Sequence, residues 1–390
     1  DYLLSFWLAA FCYFLLELRN HPSRAAVLLC GAGLGLACLT KPLACLFAPV
    51  VAAALLFTWP RTGWRSLLQA LPLLLAAVAV LNAGVFMRNY RLAGNVFGPQ
   101  ALDGWKLTND RFTPSTLASN LIRNVSLHAA TPSQALTRKL EDGARRAIRS
   151  LGADPSDPAN TWYDQAYFIP PDGRHEALKG NPFHLFLAAL AIGLAAARIR
   201  RSAYAGAAWL GLAVVLCFLL FCLAFKWQPW HSRLHLPLFV LSAPVIGIVA
   251  GRTLSPAVTT ALGVVLLWLA APIALENQTR PLLAPGSILN RDRAGMYFSD
   301  RDNLRASYTA AADLIRASGC RQVGVDNSLE SFEYPFLALT GAGRERVVQP
   351  VGAANLSAGR ARPESFTPCA VFCPGCAAAV PKWRQYAGIG

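Results

Sequence analysis

The chain has 390 residues, 54% of them hydrophobic and only 15% charged, with a mean hydropathy of +0.37. Soluble domains carry about 25% charge, so this composition excludes an ordinary soluble enzyme and implies an integral membrane protein with some polar mass. The formal net charge of +15 does not point to nucleic acid, because much of the arginine sits in short loops between apolar segments, where positive charge sets topology.

In chain order, eight segments are apolar enough to be read as spans, each of roughly 17–25 residues: about 3–19, 25–40, 42–59, 66–87, 182–199, 203–225, 234–250 and 255–275. Only Thr40-Lys41-Pro42 separates the second from the third, which implies a tight helical hairpin. Asp1 stands directly before the first span with no leader ahead of it, so the chain reads as a fragment that has lost upstream spans. Arg19 and Arg24, Arg61 and Arg65, Arg198, Arg200 and Arg201, and Arg252 occupy alternate loops, which belong together on the cytoplasmic side. The opposite, outer side then receives Lys41, the long loop 88–181, the turn from Lys226 to Arg233 and everything after about Glu276. The expected fold is thus an α-helical multi-pass membrane domain over 1–275, with an outer loop at 88–181, followed by a small α/β soluble domain over 276–390.

Loop 88–181 is too long for a plain connector and should be structured. Within it, 134–151 places Leu136, Leu140, Ala144, Ile148 and Leu151 on one helical face and Arg138, Lys139, Arg145, Arg146 and Arg149 around the rest. That pattern suits either an anionic membrane surface or packing on the loop's own core. In the C-terminal part, 303–318 is helical by pattern, and 322–326, 346–350 and 369–373 are candidate strands. There is no phosphate-binding glycine loop and no internal repeat. Six of the ten cysteines lie in apolar segments as small buried residues. Cys320, Cys369, Cys373 and Cys376 lie in the polar C-terminal part, and the Cys373-Pro-Gly-Cys376 spacing implies a disulfide ahead of a zinc site, with Cys320 or Cys369 as alternative partners.

The candidate chemistry gathers on the outer side. Lys226-Trp-Gln-Pro-Trp-His-Ser-Arg233 packs Lys226, His231 and Arg233 among two tryptophans and a proline between two spans, a composition suited to an anionic group at the lipid–water boundary. Lys41, Arg88 with its neighbours to Asn95, and Asp1 fall on the same side. Any one such charge is ordinarily a side chain snorkelling from a span end to water. Their convergence raises the functional reading, because a phosphate leaving group needs preorganised cations away from bulk water.

Three pieces, Gly35-Leu-Ala-Cys-Leu-Thr-Lys-Pro42, Arg88-Asn-Tyr-Arg-Leu-Ala-Gly-Asn95 and the Lys226–Arg233 turn, resemble bacterial family 39 glycosyltransferases of the C superfamily. These are related to protein O-mannosyltransferases and aminoarabinose transferases. The resemblance covers most of the membrane part and little of the C-terminal domain. It implies transfer of a sugar from a polyprenyl-phosphate donor to an acceptor hydroxyl on a glycan, lipid or protein at the outer face of a bacterial inner membrane. It also implies a catalytic acid on a first outer loop, upstream of this chain. Asp1 resembles a second acidic position in such enzymes, and no general base is assigned. Lys41, Arg88 and Arg233 are the expected donor-phosphate ligands, with Lys226 and His231 beside them. Glu176 is a candidate for acceptor or metal binding; no cofactor is otherwise implied, and a divalent cation stays open. Membrane lipids are expected partners and nucleic acid is not. Two readings from other classes compete, a transporter or lipid flippase and a non-catalytic membrane assembly subunit. The first should show discontinuous spans and symmetric halves, and few mid-span charges and no repeat are present.

Overall fold

The computed structural model describes residues 1–57, 64–98, 101–102, 105–163, 165–284, 286–326, 332–351 and 366–376. The chain divides into two compact units, one formed by 1–100 with 105–273 and the other mainly by 274–390.

The first unit is helical: α1 (Tyr2–Asn20), α2 (Arg24–Thr40), α3 (Leu43–Phe57), α4 (Trp64–Ala93), α5 (Pro114–Ser126), α6 (Gln134–Ser150), α7 (Pro182–Ala197), α8 (Ser202–Ala224), α9 (Leu236–Thr253) and α10 (Pro256–Glu276). Among the described residues, five helices are long and apolar enough to cross a membrane: α1, α4, α8, α10, and α9 with the 3-10 turn His231–His235 that leads into it. This corrects the expected eight. The segments expected at 25–40, 42–59 and 182–199 are helices, but α2, α3 and α7 have 17, 15 and 16 residues. At 1.5 Å per residue they reach about 22–26 Å, short of a hydrocarbon core of about 30 Å. Pro42 ends α2, because the residue before a proline is pushed out of the helical region; Lys41 is extended, with φ −160° and ψ 132°. Pro182 at the start of α7 and Arg198 at its C-cap limit that helix.

The α2 helix packs between α1 and α4 through glycines. A Cβ on Gly33 would stand 3.0 Å from the backbone nitrogen of Phe11, one on Gly31 2.8 Å from the Leu74 carbonyl, and one on Gly35 2.9 Å from a Leu81 methyl. Small residues at this spacing let helix backbones approach where water supplies no driving force. Buried Asn82 of α4 locks the contact, donating Nδ2 to the Gly35 carbonyl at 3.0 Å. The buried stripe of α1 (Leu4, Leu8, Phe11, Leu15 and Leu18) faces the same core, which α3, α8 and α9 complete through Phe47, Val51, Cys217, Phe221 and Leu241.

The ends of the bundle are distinguishable. Arg198 and Arg252 both lie over the ring of Tyr204 at the start of α8, at 5.6 and 5.8 Å, whereas Asp1, Lys41 and Arg233 meet one another beyond the other end of α8. Arg198 and Arg252 thus lie at the end of α8 opposite to Arg233, and Arg61 lies outside the described residues.

The polar segment after α4 is structured, as its length requires. α5 turns polar residues inward, burying Thr116, Ser119, Asn120, Arg123 and Asn124. α6 buries Ile148 and ties Arg145 to Glu141 and to the Tyr167 carbonyl, while Leu136, Leu140 and Leu151 stay exposed.

The second unit holds a parallel three-stranded sheet, with β1 (Gln322–Val325) central between β2 (Val347–Pro350) and β3 (Ala370–Phe372). Its helices are α11 (Arg293–Tyr297), α12 (Arg305–Ala317) and α13 (Glu333–Leu339). The expected helix and all three expected strands are present to within two residues. Phe336 stacks on Phe372 with ring centroids 4.0 Å apart, and Phe298, Tyr308, Val323 and Val325 fill the core around them. Cys320 is bonded to Cys369 across 49 residues of chain and Cys373 to Cys376 across three. By loop-closure entropy the first constrains the unfolded chain by roughly 4 kcal/mol, and the second by less than half of that.

The α2–α4 contact gives a first prediction. Gly35→Leu should destabilise the bundle by about 1–3 kcal/mol, read as a lowered unfolding midpoint in detergent. Leucine at Gly84, which has open space around its Cα, should leave the midpoint close to the parent value.

Candidate functional site

The site grows from the C-terminal end of α8. The last four carbonyls of a helix have no partners within it, and residues of the loop supply them here. Asn109 donates Nδ2 to the carbonyls of Leu223 and Cys222, at 2.7 and 3.2 Å, and its backbone N–H to that of Ala224 at 2.9 Å. Asn120 donates Nδ2 to the carbonyls of Cys222 and Phe225, at 2.8 and 3.3 Å. From there the chain runs extended alongside the loop: Lys226 N–H bonds the Leu107 carbonyl at 2.9 Å, Trp227 N–H that of Asn160 at 2.8 Å, and Trp162 N–H that of Trp227 at 3.1 Å.

Arg123 centres this layer. Fully buried, it donates to the Pro155 carbonyl and Thr161 Oγ1 from Nη1, at 2.8 and 2.7 Å, and to the Asn160 carbonyl and Asn120 Oδ1 from Nη2. Its guanidinium carbon lies 5.8 Å from the centre of the buried Trp227 ring. Burial lowers its pKa to about 10, with Tyr167, Asp157 and Asp154 pulling the other way, so it remains a cation at neutral pH.

Below it lies a layer of imidazoles. His231 is buried, its Nδ1 3.0 Å from Asn124 Oδ1 and its ring 4.7 Å from that of Phe221. His128 Nδ1 lies 3.1 Å from the backbone nitrogen of Asn181, and its Nε2 3.0 Å from His235 Nδ1. A backbone N–H can only donate, so His128 Nδ1 accepts and Nε2 carries the proton toward His235. Burial lowers the pKa of His128 to about 4, which fixes the neutral form.

Above these layers is an ion group at the surface of the same bundle end. The Asp1 carboxylate meets Lys41 Nζ at 2.6 Å and Arg233 Nε at 3.7 Å. The extended backbone at Lys41, imposed by Pro42, carries its side chain off the α2–α3 junction, and the 3-10 turn after Trp230 does the same for Arg233. The Asp1 side chain is 14% exposed, Lys41 36% and Arg233 47%. Burial, and Arg233 second, lower the Lys41 ammonium to about 8; the Asp1 carboxylate acts in the opposite sense. One carboxylate between two cations leaves a net positive charge open to solvent on one side, an arrangement that attracts an oxyanion.

Of the residues singled out from sequence, the structure brings Asp1, Lys41 and Arg233 together. Lys226 is held elsewhere, with Nζ 2.6 Å from Asp110 Oδ2 and 2.9 Å from the Pro158 carbonyl. Lys226 first and Lys106 second hold the Asp110 carboxyl below its usual range. His231 is a buried ring within the wall, not an interfacial group. Arg88 is exposed in the last turns of α4 and, among the described residues, makes no ion pair with the Asp1 group. Glu176 is half-buried next to Ala177, whose carbonyl accepts from Ser232 Oγ at 3.2 Å, so its segment touches the Trp230–Arg233 turn. Cys373 and Cys376 belong to the second unit, joined to each other. Sequence reasoning missed Asn109, Asn120, Arg123, His128 and His235. The polar set Thr116, Ser119, Asn120, Arg123 and Asn124 at helical spacing gave no signal, because a polar face is also what a solvated helix presents to water.

Comparison of the chain with family models, with known proteins and with solved structures finds no match.

Asn120→Leu should remove the side-chain donor of the Phe225 carbonyl, leave the Cys222 carbonyl to Asn109 alone and take one of four acceptors from Arg123, destabilising the fold by about 1–3 kcal/mol for the one orphaned group. Arg88→Leu, at an exposed position, should stay within about 0.5 kcal/mol. Thermal unfolding in one detergent compares the two. Equal stabilities would remove the loop-anchoring role given to Asn120.

Proposed function

We propose that the protein is a membrane glycosyltransferase that moves a sugar from a polyprenyl-phosphate-linked donor to an acceptor hydroxyl at the outer face of the membrane. The observation that carries this reading is the meeting of Lys41 and Arg233, from two separate interhelical junctions, on one carboxylate at the end of a bundle of apolar helices. In such a reaction the glycosidic bond to phosphate breaks as the acceptor oxygen attacks, and negative charge develops on the departing phosphate oxygens. Lys41 and Arg233 would receive that charge, with Asp1 holding both cations in place before substrate arrives. Arg233 offers a planar fork to two phosphate oxygens and Lys41 a point charge. Glu176, whose segment borders the same turn, is the candidate for holding the acceptor or a divalent cation. Arg88, outside the ion group, is assigned at most an approach role. No residue of this chain is assigned as general base.

The resemblance of the Lys41, Arg88 and Lys226–Arg233 pieces to family 39 glycosyltransferases supports the same reading, as does the placement of Arg198 and Arg252 at the opposite end of the bundle, the end their charge pattern assigns to the cytoplasm. On this reading the loop 88–181 and the C-terminal unit face the periplasm of a bacterial inner membrane.

Lys41→Ala and Arg233→Ala should each lower turnover of a polyprenyl-phosphate sugar by roughly 10²–10³, the effect of removing one donor to a developing oxyanion. Arg233→Lys should restore only part of it. Arg200→Ala, at an exposed position beyond α7, should leave turnover unchanged. Near-normal turnover in both Lys41→Ala and Arg233→Ala, in protein shown to be inserted, would reject the reading. The same account sets a pH dependence. Lys41 is cationic below about 8 and neutral above it, so phosphate binding should weaken as pH rises through that value. Lys41→Arg should flatten the profile.

A further inference from the structure

In the second unit the Cys373–Cys376 disulfide lies beside a buried carboxyl group, that of Asp326. β1 and β3 are parallel neighbours, and their pairing runs one residue past β1, where Asp326 N–H bonds the Phe372 carbonyl at 2.9 Å. That register sets the side chain of Asp326 opposite Cys373, with Oδ2 3.6 Å from Cys373 Sγ. Asp326 is 3% exposed. Cys373 is half-buried, and Cys376, at the far end of the Cys-Pro-Gly-Cys turn, is exposed.

A disulfide across three residues constrains the unfolded chain little, and the 49-residue Cys320–Cys369 link already ties the start of β1 to the start of β3. A structural role therefore accounts for Cys320–Cys369 and leaves Cys373–Cys376 unexplained. A buried carboxyl group beside one sulfur, with the other sulfur open to solvent, is the arrangement that thiol–disulfide exchange needs: an accessible sulfur to attack and a proton-handling group beside the sulfur that leaves.

We propose that Cys373–Cys376 is a redox-active disulfide that exchanges with a dithiol, and that Asp326 handles the proton of Cys373. The thiolate of the incoming dithiol attacks the exposed Sγ of Cys376. A new S–S bond forms there as the Cys373–Cys376 bond breaks, and the bonding electron pair passes to Cys373 Sγ. A thiolate beside the Asp326 carboxylate is electrostatically unfavourable, so this sulfur is protonated as it leaves, Asp326 passing on the proton released by the attacking thiol. The second sulfur of the dithiol, as thiolate, then attacks its own first sulfur and displaces Cys376, which takes up the second proton. Two electrons and two protons move from the dithiol to the protein, and the dithiol becomes a disulfide. In the reverse sequence the reduced Cys373/Cys376 pair returns the two electrons and two protons to a partner's disulfide, reducing it to the dithiol.

The test uses the whole protein in detergent, with dithiothreitol as the dithiol. After timed exposure, free thiols are alkylated and each cysteine is quantified by mass spectrometry. The proposal expects Cys373 and Cys376 to be labelled at least tenfold faster than Cys320 and Cys369. It expects Asp326→Asn to slow that labelling at least tenfold and to change its dependence on pH, with the Cys320–Cys369 rate unaltered. Cys373→Ser leaves Cys376 single, and this thiol should form a stable mixed disulfide when the small disulfide of 2-mercaptoethanol is added, an independent check should Asp326→Asn fold poorly. Equal reduction of the two disulfides overturns the proposal, and so does an Asp326→Asn variant that folds and exchanges at the parent rate. Tight binding of one zinc ion per chain after reduction also overturns it, since the three groups would then be a metal site.

Discussion

The carbonyls at the C-terminal end of α8 are the constraint on which the rest of the membrane unit depends. A helix that ends near a membrane surface must find donors for these groups, and water is scarce around a buried end. Asn109 and Asn120 provide them, and in doing so fasten the loop 106–163 to the segment that follows α8. The path of Lys226 and Trp227 is then set by backbone bonds to that loop. The turn from Trp230 to Arg233, and the start of α9, follow from that path. Arg123 holds α5 to the segment 155–161 from inside, and His231 on Asn124 closes the gap between α5 and the turn. The geometry of Arg233 is thus inherited from two asparagines far from it in sequence.

Lys41 reaches the same place by a different route. The close α1–α2–α4 packing through Gly31, Gly33 and Gly35 fixes the axis of α2, and Pro42 stops the helix so that Lys41 leaves it in an extended conformation. The two constructions differ in energy as well as in origin. The Asn–Arg–His layer is buried and hydrogen-bonded, so each group removed there costs about 1–3 kcal/mol. The Asp1–Lys41–Arg233 group is partly exposed, where an ion pair contributes about 0–1 kcal/mol. Stability therefore rests on the buried layer, and the exposed group is left able to exchange its carboxylate contacts for those of an incoming anion.

The five long apolar helices were legible because hydropathy over about 20 residues is a local property. The three short ones were legible as helices and overcounted as spans: Pro42 and Pro182 punctuate the chain without changing its apolar composition. The strands of the second unit showed as short β-branched runs, and 305–317 as a periodic helix. Lys41 and Arg233 could be named from their setting at span ends. Lys226 could not be told apart from them, because its partner Asp110 lies 116 residues away in sequence. Arg123, Asn120 and His128 were illegible for a related reason. A polar residue in a long loop reads as solvated, and only the tertiary contact with α8 turns that face of α5 inward.

The measurement that bears most directly on the central claim is binding of a short-chain prenyl phosphate to the detergent-solubilised protein, followed by calorimetric titration for the parent chain and for the Lys41→Ala/Arg233→Ala double variant. The account predicts saturable binding at one site in the parent, and in the double variant a loss of at least about 100-fold in affinity, as expected for two charge-assisted contacts of about 1.5–3 kcal/mol each. Equal affinity in the two proteins, with both folded, would contradict it and reduce the Asp1 group to an anchor at the membrane surface.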